Sequence, residues 1–121
     1  MDVRIISLMG NAALQGQSLI LETIRGQVQV LENHADMIAS VVPGALSVDG
    51  GRSAARYVTG KGLLRVQDGQ CVVLLDRLLE DSARGREIAQ ARIEELEALA
   101  AAQPSDAVAD ELEFLRRFLA Q

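Results

Sequence analysis

Tryptophan is absent from the 121 residues, and the only aromatic side chains are Tyr57, Phe114 and Phe118. A core must therefore be built from Val, Ile, Leu and Ala. With one aromatic in the first hundred residues, a sheet that stacks RNA bases is excluded. Histidine and cysteine each occur once, as His34 and Cys71. A zinc site needs three or four ligands, so these two, far apart in the chain, do not announce one. A lone cysteine forms no internal disulfide, and a reduced compartment fits it best. Excess positive charge is also missing. The net charge is −5 and the pI about 4.8, which argues against a phosphate-backbone ligand. No apolar run approaches ~18 residues, and no basic segment followed by an apolar stretch opens the chain. The expectation is a soluble protein with no signal peptide and no direct membrane insertion, able to dock on a membrane assembly. Its length suits one domain, or one small domain with an appendage.

What is present changes character near residue 80. Nine of the ten glycines precede it. Val3–Ile6, Leu14–Leu21, Val28–Val30, Leu46–Val48, Leu64–Val66 and Cys71–Leu75 read as strands. The turn signals MGN, RG, PG, DGG, GKG and QDGQ separate them. Short strands punctuated in this way indicate a β-sandwich or barrel. After Glu80 the apolar period becomes helical: Ala89, Ile93, Leu96 and Ala100, then Val108, Leu112, Leu115 and Leu119. Pro104 breaks the run and Ser105 can cap the second helix. Asp106 near its start and Arg116 and Arg117 near its end match the helix dipole. The predicted organisation is a β-sandwich domain over residues 1–80, followed by an antiparallel two-helix hairpin over 81–121.

Chemistry is sparse. His34 has Glu32 and Asp36 nearby, but no nucleophile accompanies it, so a locally hydrogen-bonded turn histidine is the better reading than a general base. Cys71, inside the run CVVLL, reads as a small buried hydrophobe. Gly60-Lys61-Gly62 lacks the rest of a phosphate-binding loop and reads as a turn. No catalytic residue and no metal site are predicted.

The order of motifs resembles the epsilon subunit of bacterial F-type ATP synthase. That family reads G-E-x-G-V-L-P-x-H-A-P-L-L-T and then x-x-K-P-G. This chain has Gly26-Gln27-Val28-Gln29-Val30-Leu31-Glu32-Asn33-His34-Ala35-Asp36-Met37-Ile38-Ala39, and then Ser40-Val41-Val42-Pro43-Gly44. Gly62-Leu63-Leu64-Arg65-Val66 stands where the family has G-F-L-E-V, and Cys71-Val72-Val73-Leu74-Leu75-Asp76 resembles N-V-T-V-L-A-D. The resemblance implies a ten-stranded sandwich and a helical hairpin without enzymatic activity of its own. It implies a central-stalk rotor subunit that joins the gamma subunit to the c-subunit ring, coupling ion translocation to ATP synthesis or hydrolysis. The site would be peripheral, on the cytoplasmic face of the bacterial inner membrane. Arg25, Gln27, Glu32, Asn33 and His34 would lie in the loops facing the c-ring and the foot of gamma.

The alternative is a regulatory brake or nucleotide sensor acting through the helices, which in some members reach the alpha/beta catalytic head. Members that bind ATP carry I-D-x-x-R-A. The nearest match, Ile88-Ala89-Gln90-Ala91-Arg92-Ile93, keeps Ile88 and Arg92 but lacks the carboxylate. Weak or no ATP binding is therefore expected, with Arg92 paired to Glu95 or near Glu97, and no cofactor is assigned. Other departures mark a divergent member. Gln27 replaces Glu, and Glu32 and Asp36 replace prolines, which loosens the turn because proline would fix φ.

Overall fold

Strict alternation of buried and exposed side chains runs through most of the first eighty residues and forces them into two-faced strands. The computed structural model describes residues 1–121. It falls into two compact units, Met1–Glu80 and Asp81–Gln121.

The first unit holds nine strands: β1 (Asp2–Ser7), β2 (Gly10–Gln15), β3 (Ser18–Thr23), β4 (Gly26–Leu31), β5 (Met37–Asp49), β6 (Ala54–Thr59), β7 (Gly62–Gln67), β8 (Gln70–Leu75) and β9 (Leu78–Glu80). This is a β-sandwich with nine strands where the family resemblance implied ten. One layer runs β2-β1-β8-β7 into the first half of β5, and the other joins the second half of β5 to β3, β4, β6 and β9. All pairings are antiparallel except β1 with β8.

Strand β5 serves both layers, and Pro43 marks where it changes partner. Met37–Val41 pairs with β7, whereas Gly44–Asp49 pairs with β6. Its register against β3 shifts over the same stretch, between Leu21 and Thr23. Pro43-Gly44, expected to be a turn, is therefore the bend inside a 13-residue strand. Proline can occupy this point because a chain leaving one ladder for another has no fixed acceptor for its N–H. A second correction concerns Leu14–Leu21. It is two strands, not one, split at Gly16-Gln17, where Gln17 N–H donates to the Asp49 carbonyl at 2.7 Å.

Inward-facing Val3, Ile5, Leu19, Leu21, Val30, Leu46, Val48, Leu64, Val66, Cys71 and Val73 form the core, all essentially solvent-free. Burying a Val or Leu side chain is worth about 1.5–3 kcal/mol, so the aliphatic set supplies the driving force that aromatics commonly share. Close approach matters at Gly62, where β7 begins. A β-carbon there would collide with the Leu74 carbonyl of the paired strand. The Asp68-Gly69 hairpin has φ of 52° and 74°, the left-handed pair that a tight two-residue connection requires.

The second unit contains α1 (Ala83–Ala102) and α2 (Asp106–Leu119), which pack on each other. Ser82 caps α1 by accepting from the Gly85 N–H at 3.1 Å, and Ser105 caps α2 by accepting from the Val108 N–H at 3.2 Å. Each cap satisfies a backbone donor left without an intrahelical partner. Ala89, Ile93 and Leu96 on α1 and Leu112, Leu115 and Phe118 on α2 are buried, each set at helical spacing on one face.

Candidate functional site

Two turns carry the sandwich residues singled out above, and they stand at the two ends of β4. At one end, the β3–β4 turn presents Arg25. The buried Thr23 stiffens it: its hydroxyl donates to the Gly26 carbonyl at 2.8 Å and accepts from the Arg25 N–H at 3.2 Å. Gln27, the next pair of the ladder, donates from Nε2 to Glu22 Oε1 at 3.2 Å. At the other end, Leu31–His34 closes a β-turn through the His34 N–H to the Leu31 carbonyl at 3.1 Å. Asn33 takes φ of 63° in this turn, a conformation asparagine tolerates better than most residues. His34 Nδ1 lies 2.6 Å from the Ala35 carbonyl, and Glu32 and Asn33 are exposed. Asp36 accepts from the Asp68 N–H at 3.2 Å, which ties this loop to the β7–β8 hairpin. The five residues thus form two groups separated by the length of β4, roughly 17 Å at the rise of a strand.

The only histidine is therefore a turn residue held by its own backbone neighbours. Asp36, the nearest candidate to orient it, is engaged elsewhere. No group of three His, Cys, Asp or Glu side chains is placed to hold a metal ion.

One surface escaped the sequence reading. On the outer face of the β2-β1-β8-β7 layer, Ile6, Leu74 and Leu63 sit side by side in register. They are 42%, 45% and 40% exposed. Val72 occupies the next row, with Arg4 on one side and Arg65 on the other, and Ile38 beyond Arg65 is largely exposed. The signal was available in the doublets Ile5-Ile6, Leu63-Leu64, Val72-Val73 and Leu74-Leu75. Adjacent residues of a strand point to opposite faces, so in each doublet one apolar side chain must leave the core. A contiguous exposed apolar row of this kind marks an interaction surface more often than a bare solvent face. Nearby, Met37 and Ile38 border two depressions. One of about 450 Å³ is also lined by Asp36, Arg65, Val66 and Gln67, and one of about 340 Å³ also by Ile24, Arg25 and Val28.

In the hairpin, Arg92 is fully engaged. Its Nε donates to Glu111 Oε2 at 2.6 Å, its second terminal nitrogen reaches Glu111 Oε1 at 3.4 Å, and its first reaches Glu95 at 3.1 Å. These contacts, the hydrogen bond from Glu111 first, raise its pKa further above the usual guanidinium value. Glu111 comes from α2, nineteen positions away, and no local pattern pointed to it. Ile88, one turn before Arg92 on α1, is exposed.

Comparison with known proteins gives a consistent picture. Residues 1–81 match the family described as ATP synthase, Delta/Epsilon chain, beta-sandwich domain. The chain is similar in fold to one in the cryo-EM structure of the Euglena gracilis mitochondrial ATP synthase, OSCP/F1/c-ring in rotational state 1. The TM-score is 0.63 at 20% identity, covering 93% of this chain and 72% of that one. It is also similar to a chain of the Tetrahymena thermophila mitochondrial ATP synthase central stalk and c-ring. There the TM-score is 0.59 at 12% identity, covering 87% of this chain and 96% of that one. No helix is long and apolar enough to cross a membrane.

Proposed function

From the premise that the chain belongs to the ATP synthase delta/epsilon family, whose members are structural and not catalytic subunits, we propose that it is the rotor subunit linking gamma to the c-ring. Two structural relatives come from assemblies described as containing the c-ring or the central stalk with it, which supports this placement. The observation that carries the reading is the pairing of an exposed apolar sheet face with two well-tied polar turns on a rigid sandwich. A part that transmits torque needs stiffness and two interfaces more than it needs a reactive group. Strand ladders in two packed layers supply the stiffness.

In this reading the apolar row Ile6–Leu74–Leu63 packs against gamma, and the Glu32–His34 turn meets the foot of gamma. The β3–β4 turn, with Arg25 and Gln27, bears on the ring. The protein is then peripheral, on the cytoplasmic side of a bacterial inner membrane. The hairpin acts as a self-closed element and not as an ATP sensor, because Arg92, the one retained cation of the nucleotide motif, already has two carboxylate partners.

The experiment is reconstitution of the full chain with its own gamma subunit, c-ring and catalytic head. The chain should co-elute with gamma, and its omission should weaken retention of the ring. Asn33→Ala with His34→Ala should weaken assembly while leaving the fold intact. Absence of co-elution with gamma would overturn the proposal. Slowing of ATP hydrolysis by the added chain would reinstate the brake.

A further inference from the structure

Seven Lys and Arg side chains lie in the sandwich unit, and six of them, Arg4, Arg25, Arg52, Arg56, Lys61 and Arg65, have no carboxylate of this chain within 4.0 Å. Two of the six occupy matched places on the apolar outer face. Arg4 on β1 and Arg65 on β7 both pair in register with Val72 on the strand between them. Their Cα atoms are thus separated by two strand spacings, roughly 10 Å. Both side chains are exposed. Each borders a depression: Arg4 one of about 350 Å³ against β2, and Arg65 the one of about 450 Å³ against β5. The row directly beside them is Ile6, Leu74 and Leu63.

We infer that the segment covering this face is an apolar one that also carries carboxylates placed against Arg4 and Arg65. This rests on the reading above that gamma covers the face. Two physical points carry it. Burying the apolar row brings the flanking guanidinium groups toward low dielectric, and a cation drawn there without a partner is costly. Arginine also presents a planar fork of donors that matches a carboxylate two bonds at a time, so an acidic side chain is the partner with the best fit. The arginines then set partner choice and approach rate, while the apolar row supplies most of the holding.

The test uses the full chain and its own gamma subunit, with binding followed as a function of NaCl. Circular dichroism confirms that each variant is folded. Arg4→Glu with Arg65→Glu should bind gamma at least ~10-fold more weakly at low salt, and the deficit should shrink as salt screens the new repulsion. Arg4→Lys with Arg65→Lys should retain more of the affinity than the reversal. Leu74→Asp should abolish binding at any salt. If the wild type binds gamma, Leu74→Asp does not, and the double reversal binds with unchanged affinity and salt dependence, the acidic-partner inference is overturned and the rotor reading stands. If the wild type itself fails to bind gamma, both fall. If the wild-type chain instead self-associates through this face, and the reversal releases it, the occupant is a second copy and the inference is overturned.

Discussion

Cations are treated oppositely in the two units. Of the seven Lys and Arg side chains in Met1–Glu80 only Arg77 meets a side-chain carboxylate, that of Asp76, whereas in Asp81–Gln121 four of the five arginines do so: Arg86, Arg92, Arg116 and Arg117. The balance differs too. The sandwich has seven cations against eight carboxylates, while the hairpin has five against nine. The difference follows from how each unit is held. Nine strands are cross-linked by ladders over an aliphatic core, so the sandwich keeps its surface charges free for something outside. The hairpin has only one face of each helix to bury, and its charged groups turn to one another. Such exposed pairs contribute little individually, so they select a closed geometry more than they stabilise it.

The largest effect should come from the hairpin's small core. Leu115→Ala removes a fully buried side chain and should cost about 3 kcal/mol. The helical circular dichroism should melt earlier while the sandwich transition stays in place. Tyr57, the one tyrosine in a chain without tryptophan, reports the sandwich separately by its fluorescence. A shift in the Tyr57 transition of similar size would break the comparison.

Gly62→Ala should act in the opposite unit, costing about 2 kcal/mol through the collision with the Leu74 carbonyl. The Tyr57 signal should move and the helical signal should not.

A smaller effect is expected from Glu111→Gln, which removes the carboxylate that bridges α2 to Arg92. About 0.5 kcal/mol should be lost from the hairpin alone, and the loss should vanish at high salt. An unchanged gap between wild type and variant at high salt would mean the pair acts by packing and not by charge.

The smallest effect at neutral pH sharpens the contrast most in alkali. Burial pushes the Cys71 thiol above its ordinary 9.0, with the chain's amino terminus opposing, and burial followed by Glu80 pushes Tyr57 above its ordinary 10.0. Both groups hold their protons more tightly folded than unfolded. As pH rises through 9 the unfolded chain therefore releases protons first, and sandwich stability falls. Below that range neither group contributes. The hairpin contains no Cys, Tyr or Lys and should show no such loss. Cys71→Ala should remove the first part of the decline in a pH series of thermal melts.

Most strands and both helices could be read from residue order alone. Val3–Ile6 and Cys71–Leu75 alternate or run apolar between turn residues, and the helical period after Glu80 has no competitor. Most of β2, and all of β6 and the short β9, carry no such signal. Gly10–Gln15 has no β-branched or aromatic residue to signal a strand, and in Ala54–Thr59 these are confined to the last three positions; both are extended because neighbours pair with them. Pro43-Gly44 misled for a related reason. The dipeptide favours a turn locally, but two different ladders claim the residues on either side of it. At the candidate site, the turn at Asn33-His34 was legible because its conformation is local. The apolar row was half legible, since the doublets show that a side chain must leave the core without showing that three of them align.

Sequence by itself therefore determined the class of the fold, the change of character near residue 80 and the turn in which His34 sits. Each depends on composition, or on residues a few positions apart. Tertiary structure alone decided where β5 bends between layers, that Ile6, Leu74 and Leu63 form one row between strands remote in the chain, that Arg4 and Arg65 flank Val72, and that Glu111 occupies Arg92. These are pairings across tens of positions. Strand register and helix docking choose them by summing many weak contacts, and no single stretch of residues contains that sum.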